Sequence, residues 1–158
     1  MSLILHSQDF VPHGVMHPKF TCEGANISPS LNWGNVPDGV QSFALICDDP
    51  DAPRGTWVHW VYYDIPANVL GLPQRVEKDA QLPDGSRQGR NDFGQIGYNG
   101  PCPPPGHGEH HYSFRLYALD SLLKLPPGAT KAELLAAMEG HLLDQGEVVV
   151  RFERRTQR

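Results

Sequence analysis

Three stretches of this chain alternate with the two-residue period of a strand, and they constrain its fold more than any other feature. In Ser42–Asp49 the alternation puts Phe43, Leu45, Cys47 and Asp49 on one face. In His59–Ile65 it puts His59, Val61 and Tyr63 on one face, with Trp57 in line if the strand starts early. In His110–Ala118 it aligns His110, Tyr112, Phe114, Leu116 and Ala118, while Ser113, Arg115 and Tyr117 point the other way. Gly, Pro or Asp-rich turns bound each run. With 16 glycines and 15 prolines among 158 residues, close to a fifth of the chain, turns are frequent and elements short. One helix is expected. Thr130 and Glu133 form a capping-box pattern, and Leu134, Leu135, Met138 and Leu142 recur at helical spacing up to Gly146. Gly140 falls inside that helix at a cost of about 1 kcal/mol relative to Ala. Alternation resumes from Glu147 to Glu153, with Val148, Val150 and Phe152 inward. Between Ile65 and Asn99 there is little periodicity: Pro83–Ser86 reads as a turn and Gly89–Gly94 as an ordered loop. The sum is a mainly β chain, residues 1–158 forming a single domain of two packed antiparallel sheets and a late helix.

Composition removes some classes of function. A formal net charge of −5 and the lack of a basic stripe argue against nucleic acid as a partner. The arginines that cluster at the C-terminus (Arg151, Arg154, Arg155, Arg158) read as a solvated tail. No apolar run is long enough to predict integral membrane association. The first ten residues lack a basic region ahead of their short apolar run, so a cytoplasmic protein is expected. Cys22, Cys47 and Cys102 show no CxxC spacing, and in a reducing compartment a Cys22–Cys102 bridge is not expected.

Two segments carry the chemistry. Gly100–Tyr112 holds four prolines and three glycines, a backbone partly locked and partly free to take positive φ, and it delivers His110, His111 and Tyr112 at a strand mouth. The other is Asp48-Asp-Pro-Asp-Ala-Pro53 followed by Trp57-Val-His59, whose prolines bar regular pairing and whose Ala52–Pro53 bond is a candidate cis peptide. If the three strands are neighbours, Asp49, His59, His110 and Tyr112 meet at one rim. Such a cluster suits a small anion such as phosphate. Imidazoles and a phenol donate to oxyanions, Asp49 orients a histidine and raises its pKa, and backbone N–H groups of Gly100 or Gly108 add donors. Affinity is then expected to fall as pH rises. The same residues leave other readings open. Asp49, His59 and His110 form a His₂-carboxylate set compatible with zinc or iron. Cys102 near His110 is a candidate thiolate nucleophile for a hydrolase, whereas Ser113 faces away across the pleat. Trp33, Trp60, Phe93 and the arginine tail would serve an interaction protein acting through another surface. His107 and His111 are expected to face solvent, and Asp48 and Asp51 to accept local backbone bonds in the turn.

The pair Asp49-Pro-Asp-Ala-Pro53 with Trp57-x-His59, followed by Gly100-Pro101 and Gly108-x-His110-x-Tyr112, resembles the phosphatidylethanolamine-binding protein family, also called the Raf kinase inhibitor-like family. The resemblance runs from the Thr21–Trp33 region to the last strand and is strongest to the bacterial branch. It implies a central antiparallel sheet packed in a sandwich-like arrangement with a second small sheet and one or two peripheral helices, and an anion pocket at one end. The family's pocket residues fall on Asp49, His59, His110 and Tyr112, with Pro53, Trp57, Gly100 and Pro101 as walls. The implied activity is non-catalytic: binding of a phosphate-bearing or other anionic small ligand, with a kinase or protease as a protein target, no cofactor or metal, and a homodimer. Two departures stand out. The spacer Arg54-Gly-Thr56 is shorter than in animal members, and the chain stops at Arg158 without their C-terminal helix.

Overall fold

The strand that is apolar on both faces belongs at the centre of a sheet, and β3 (Ser42–Asp49) is buried at all eight positions. In the computed structural model, which describes residues 2–155, it lies between β4 (Trp57–Pro66) and β7 (His110–Leu119), antiparallel to both. The short β6 (Arg87–Gln88) pairs outside β4, and β8 (Leu142–Phe152) pairs outside β7, giving the order β6-β4-β3-β7-β8. A second sheet, in the order β1-β2-β5, comprises β1 (Ile4–His6), β2 (Leu31–Gly34) and β5 (Gly71–Leu72).

Alternation assigns the two faces of the large sheet to different partners. Phe43, Leu45, Phe114, Leu116, Val148 and Val150 meet Leu5, Leu31, Trp33 and Leu72 of the small sheet in one core. Ala44, Ile46, Val61, Tyr63 and Tyr117 meet Leu134 and Met138 of the helix α1 (Lys131–Met138) in the other. Trp33 and Trp60 are both core residues, 4% and 0% exposed, and present no contact surface.

The helix starts as expected and ends early. Thr130 and Glu133 exchange side-chain to backbone hydrogen bonds in a complete capping box. Gly140, expected inside the helix, sits just beyond its end at φ +84°, a left-handed conformation that stops helices. Leu142 therefore opens β8 instead of continuing the helix. Two further expectations are corrected. No cis peptide occurs among the described residues, so the Ala52–Pro53 bond is trans. Cys22 and Cys102 are joined in a disulfide, with Cα atoms 5.4 Å apart, leaving only Cys47 free and buried. The cysteines consequently give no support to a reducing compartment. Among the described residues no helix is long and apolar enough to cross a membrane.

Candidate functional site

Strand ends and one irregularity assemble the site. Asp49 closes β3 and His110 opens β7, with Tyr112 two residues further along the same face. His59 reaches them because β4 bulges. Cys47 pairs with Trp60 and Asp48 with Val58, so His59 has no partner on β3. The extra residue re-aims the histidine, as bulges beside binding sites do. His59, expected on the face of Val61 and Tyr63, instead stands edge-on to Tyr112, ring centroids 5.2 Å apart, while Val61 and Tyr63 pack toward the helix.

The four polar residues are each almost fully buried and are held differently. The Nδ1–H of His110 donates to Asp49 Oδ2 at 2.6 Å, and Asp49 Oδ1 accepts the Asp51 N–H at 2.8 Å. His59 Nδ1–H donates to the Asn99 carbonyl at 2.7 Å. That carbonyl is placed by a loop bonded to the β4 edge through Asp92, which exchanges hydrogen bonds with Val58, and through the Asn99 N–H on the His59 carbonyl. Asn91 holds the loop's own shape, its amide donating to Gly97 O and Asn99 Oδ1 and accepting from the N–H groups of Phe93 and Gln95. Tyr112 is 1% exposed, and its hydroxyl lies near Asp49 without making a hydrogen bond of good geometry to it or to any other group among the described residues. Above these groups lies a cavity of about 310 Å³, closed at the sides by Pro53, Arg54, Trp57, Phe93 and the Cys102–Pro104 segment.

Burial dominates the electrostatics. It lowers the pKa of His59 below the usual imidazole value, against the Asn99 bond and the Asp49 charge, which favour the cation. His59 is therefore neutral at pH 7, its proton on Nδ1 and a lone pair on Nε2. The Asp49 charge acts on His59 in the expected direction, but burial outweighs it. Asp49 orients His110, not His59. Burial, then the Asp49 charge, raises the Tyr112 phenol well above its ordinary range, so it stays a donor.

Of the sequence-predicted residues, Asp49, Pro53, Trp57, His59, His110 and Tyr112 line the cavity together. Gly100 and Pro101 lie behind it. The Gly100 N–H is taken by Asn26 Oδ1 at 2.8 Å, and the Pro101 carbonyl accepts from Cys22 N–H at 3.1 Å. Gly100 therefore offers no free donor. His107 does not simply face solvent, because its Nδ1 lies 2.7 Å from His110 Nε2, the nitrogen that would meet a ligand. His111 is turned outward as expected and pairs with Asp51. Asp48 is no turn residue: it is 1% exposed and bonds Lys131 Nζ at 2.7 Å, with Arg115 at 3.7 Å, on the helix side of the sheet. Ser113 turns away toward Glu147. Arg151 of the basic tail donates from Nη1 to both carboxylate oxygens of Glu109; Arg158 lies outside the described residues.

Sequence reasoning missed Arg54 and Phe93 as cavity residues. Phe93 packs edge-on to Trp57 at 5.6 Å and to His59 at 5.3 Å, and only the Asn91-centred loop brings it there. Asp49, His59 and His110 do not form a metal-ligand cluster, and no group of three or more His, Cys, Asp or Glu among the described residues does so. Cys102, bonded to Cys22, offers no thiolate to the cavity.

The chain is similar, in sequence and in fold, to known proteins. A UPF0098 protein of Methanothermobacter thermautotrophicus is 50% identical over 154 residues, which span 98% of this chain and 99% of that protein. The fold superposes on the crystal structure of Escherichia coli YbcL with a TM-score of 0.88 and 36% identity, covering 97% of this chain and 99% of that one; YbcL is described as a member of the mammalian PEBP family. A PEBP homolog from Chlamydia trachomatis, CT736, superposes with the same TM-score at 37% identity, covering 97% and 98%. The family model for phosphatidylethanolamine-binding proteins matches residues 6–153, from the last residue of β1 to the residue after β8, and so takes in the whole of the large sheet and every side chain around the cavity. By sequence and by fold alike, this chain belongs to the phosphatidylethanolamine-binding protein family.

Proposed function

We propose that this protein binds a small phosphate-type anion, free or carried on an organic group, in the cavity above Tyr112, and that it does so without chemical turnover. The observation that carries this reading is the Tyr112 hydroxyl, buried and without a partner. An unmet buried donor costs about 1–3 kcal/mol, which a ligand oxygen placed against it would recover. Arg54 at the rim supplies the compensating positive charge, and Trp57 with Phe93 offers an apolar flank to whatever bears the anion. A cavity near 310 Å³ is at the small end of the ~300–1,000 Å³ range of ligand sites and suits a headgroup-sized molecule. The Asp49 carboxylate opposes such a ligand by its charge, which its bonds to His110 and Asp51 disperse and which Arg54 at the rim offsets. His107 occupies the outer nitrogen of His110 and has to swing aside for His110 to take part. Gly106 and Gly108, both at positive φ, flank it and give the loop that freedom. Binding without turnover is supported by the positions of the two nucleophile candidates, Ser113 turned to Glu147 and Cys102 held in the disulfide.

The pH dependence follows from His59. Its pKa in the free site is depressed by burial, and an adjacent anion favours the imidazolium and raises it. Binding then takes up a proton between the two values, so affinity falls as pH rises from the lowered free-state pKa to the bound-state one. Isothermal titration with inorganic sulfate, whose own charge is constant over this range, is expected to give tighter binding at about pH 5.5 than at about pH 8, with a slope of at most tenfold per pH unit. His59→Gln is expected to flatten that slope. Sulfate or phosphate that fails to bind at any pH would refute the anion reading.

A further inference from the structure

β4 carries a second bulge, at the opposite end of the strand from His59. Phe43 pairs with Ile65 and Leu45 with Tyr62, so Tyr63 and Asp64 together oppose Ala44. Asp64 takes a left-handed φ of +53° and is 5% exposed. A non-glycine residue held in that region is uncommon and tends to mark sites where structure serves function. Its Oδ1 accepts the Leu123 N–H at 2.7 Å, and its Oδ2 has no partner. Across the sheet edge, Arg87 pairs with Tyr63 in register and donates Nη1 to the Leu125 carbonyl at 2.9 Å, while its buried Nε has no partner. Asp64 and Arg87 thus grip one short segment from two points, with Lys124 between them at φ +54°.

Anchoring explains only half of each side chain. Leu123 needs one acceptor oxygen, which a neutral Asn also supplies, so the second, charged oxygen of Asp64 is not accounted for by the anchor. A buried carboxylate left partly unpaired is destabilising, which is why it asks for an occupant. A cavity of about 320 Å³ lies here, lined by Asp64, Arg87, Asp84, Lys124 and Gln41. Its two carboxylates and two cations set the class of ligand. A bare cation meets Arg87 and Lys124; a bare anion meets Asp64 and Asp84. A compact molecule carrying both an ammonium and a carboxylate satisfies both halves.

We propose that this cavity is a second binding site, for a free amino acid held by its ammonium group on Asp64 and its carboxylate on Arg87 and Lys124. It shares no residue with the anion cavity, so either site stands if the other fails.

The test is a ¹⁵N–¹H NMR titration of the whole protein with the common L-amino acids, each added singly. The expected result is saturable shifts for at least one of them, confined to the amides of Gln41, Gly85 and Leu122–Leu125, and absent with its N-acetyl and carboxamide derivatives. Asp64→Asn, which keeps the acceptor for Leu123, is expected to weaken binding by about tenfold, the order for loss of one charged hydrogen bond. Sulfate binding at the Tyr112 cavity is expected to stay unchanged in that variant. Should Asp64→Asn not fold, Lys124→Met at an exposed position is expected to weaken binding several-fold. No saturable shift in this region, equal binding of the blocked derivatives, or wild-type affinity in the variant would overturn the proposal.

Discussion

Replacing Cys22 and Cys102 together by Ser is expected to lower the free energy of unfolding by about 4 kcal/mol and the thermal midpoint by roughly 10 °C. The cross-link joins residues 80 apart, so in its absence the unfolded chain regains the freedom of a long loop. The effect extends to the cavity, because Cys102, Pro103 and Pro104 form part of its wall and the bond ties them to the turn after Phe20. Thermal melts of the variant and of the reduced wild-type protein should agree, and sulfate affinity should fall in both. A loss of less than about 1 kcal/mol would mean that the loop is held without the bond.

Gly100→Ala has the second largest expected effect. A Cβ on Gly100 would run into the Phe20 carbonyl oxygen, an atom fixed by the Tyr98 hydroxyl at 2.7 Å. Backbone meets backbone there, so no flexible side chain can give way. The loop must lift, losing the Gly100 N–H to Asn26 bond and pulling Asn99 from His59. The expected cost is about 3 kcal/mol, the upper end for overpacking, with a weakened sulfate site. Gly108→Ala, where a Cβ meets nothing within 4 Å, is the comparison that isolates close packing from positive φ. Equal stability of Gly100→Ala and wild type would show that the loop does not depend on this contact.

What could be read from the chain depended on unbroken periodicity. β3 and β7 alternate without interruption, so their limits, faces and adjoining polar ends were legible, and with them Asp49, His110 and Tyr112. The capping box at Thr130 was equally plain, since it depends on two residues three apart. β4 was legible as a strand but not in its faces, because two bulges shift the period at His59 and Asp64, and nothing local announces them. β1, β5 and β6 have two or three residues each, too few to show a period. The helix was drawn too long because Leu142 kept the helical spacing, and Gly140 as a terminator outweighed it. Contacts made only in three dimensions were the least legible. The Cys22–Cys102 bond and the Phe93 flank join segments that share no pattern, and the His107–His110 contact, though it spans only three residues, depends on how the Gly106–Gly108 turn folds.

The central claim is that Tyr112 awaits a ligand oxygen, and Tyr112→Phe tests it by two readings on one protein. Removing a hydroxyl that has no partner in the free protein should leave the unfolding free energy unchanged or raise it by up to about 1 kcal/mol. The same change should weaken sulfate and phosphate binding by about tenfold, the equivalent of one hydrogen bond to a charged group. Stability kept and affinity lost is the predicted pair. Affinity kept, or a loss of stability typical of a broken buried hydrogen bond, would contradict it.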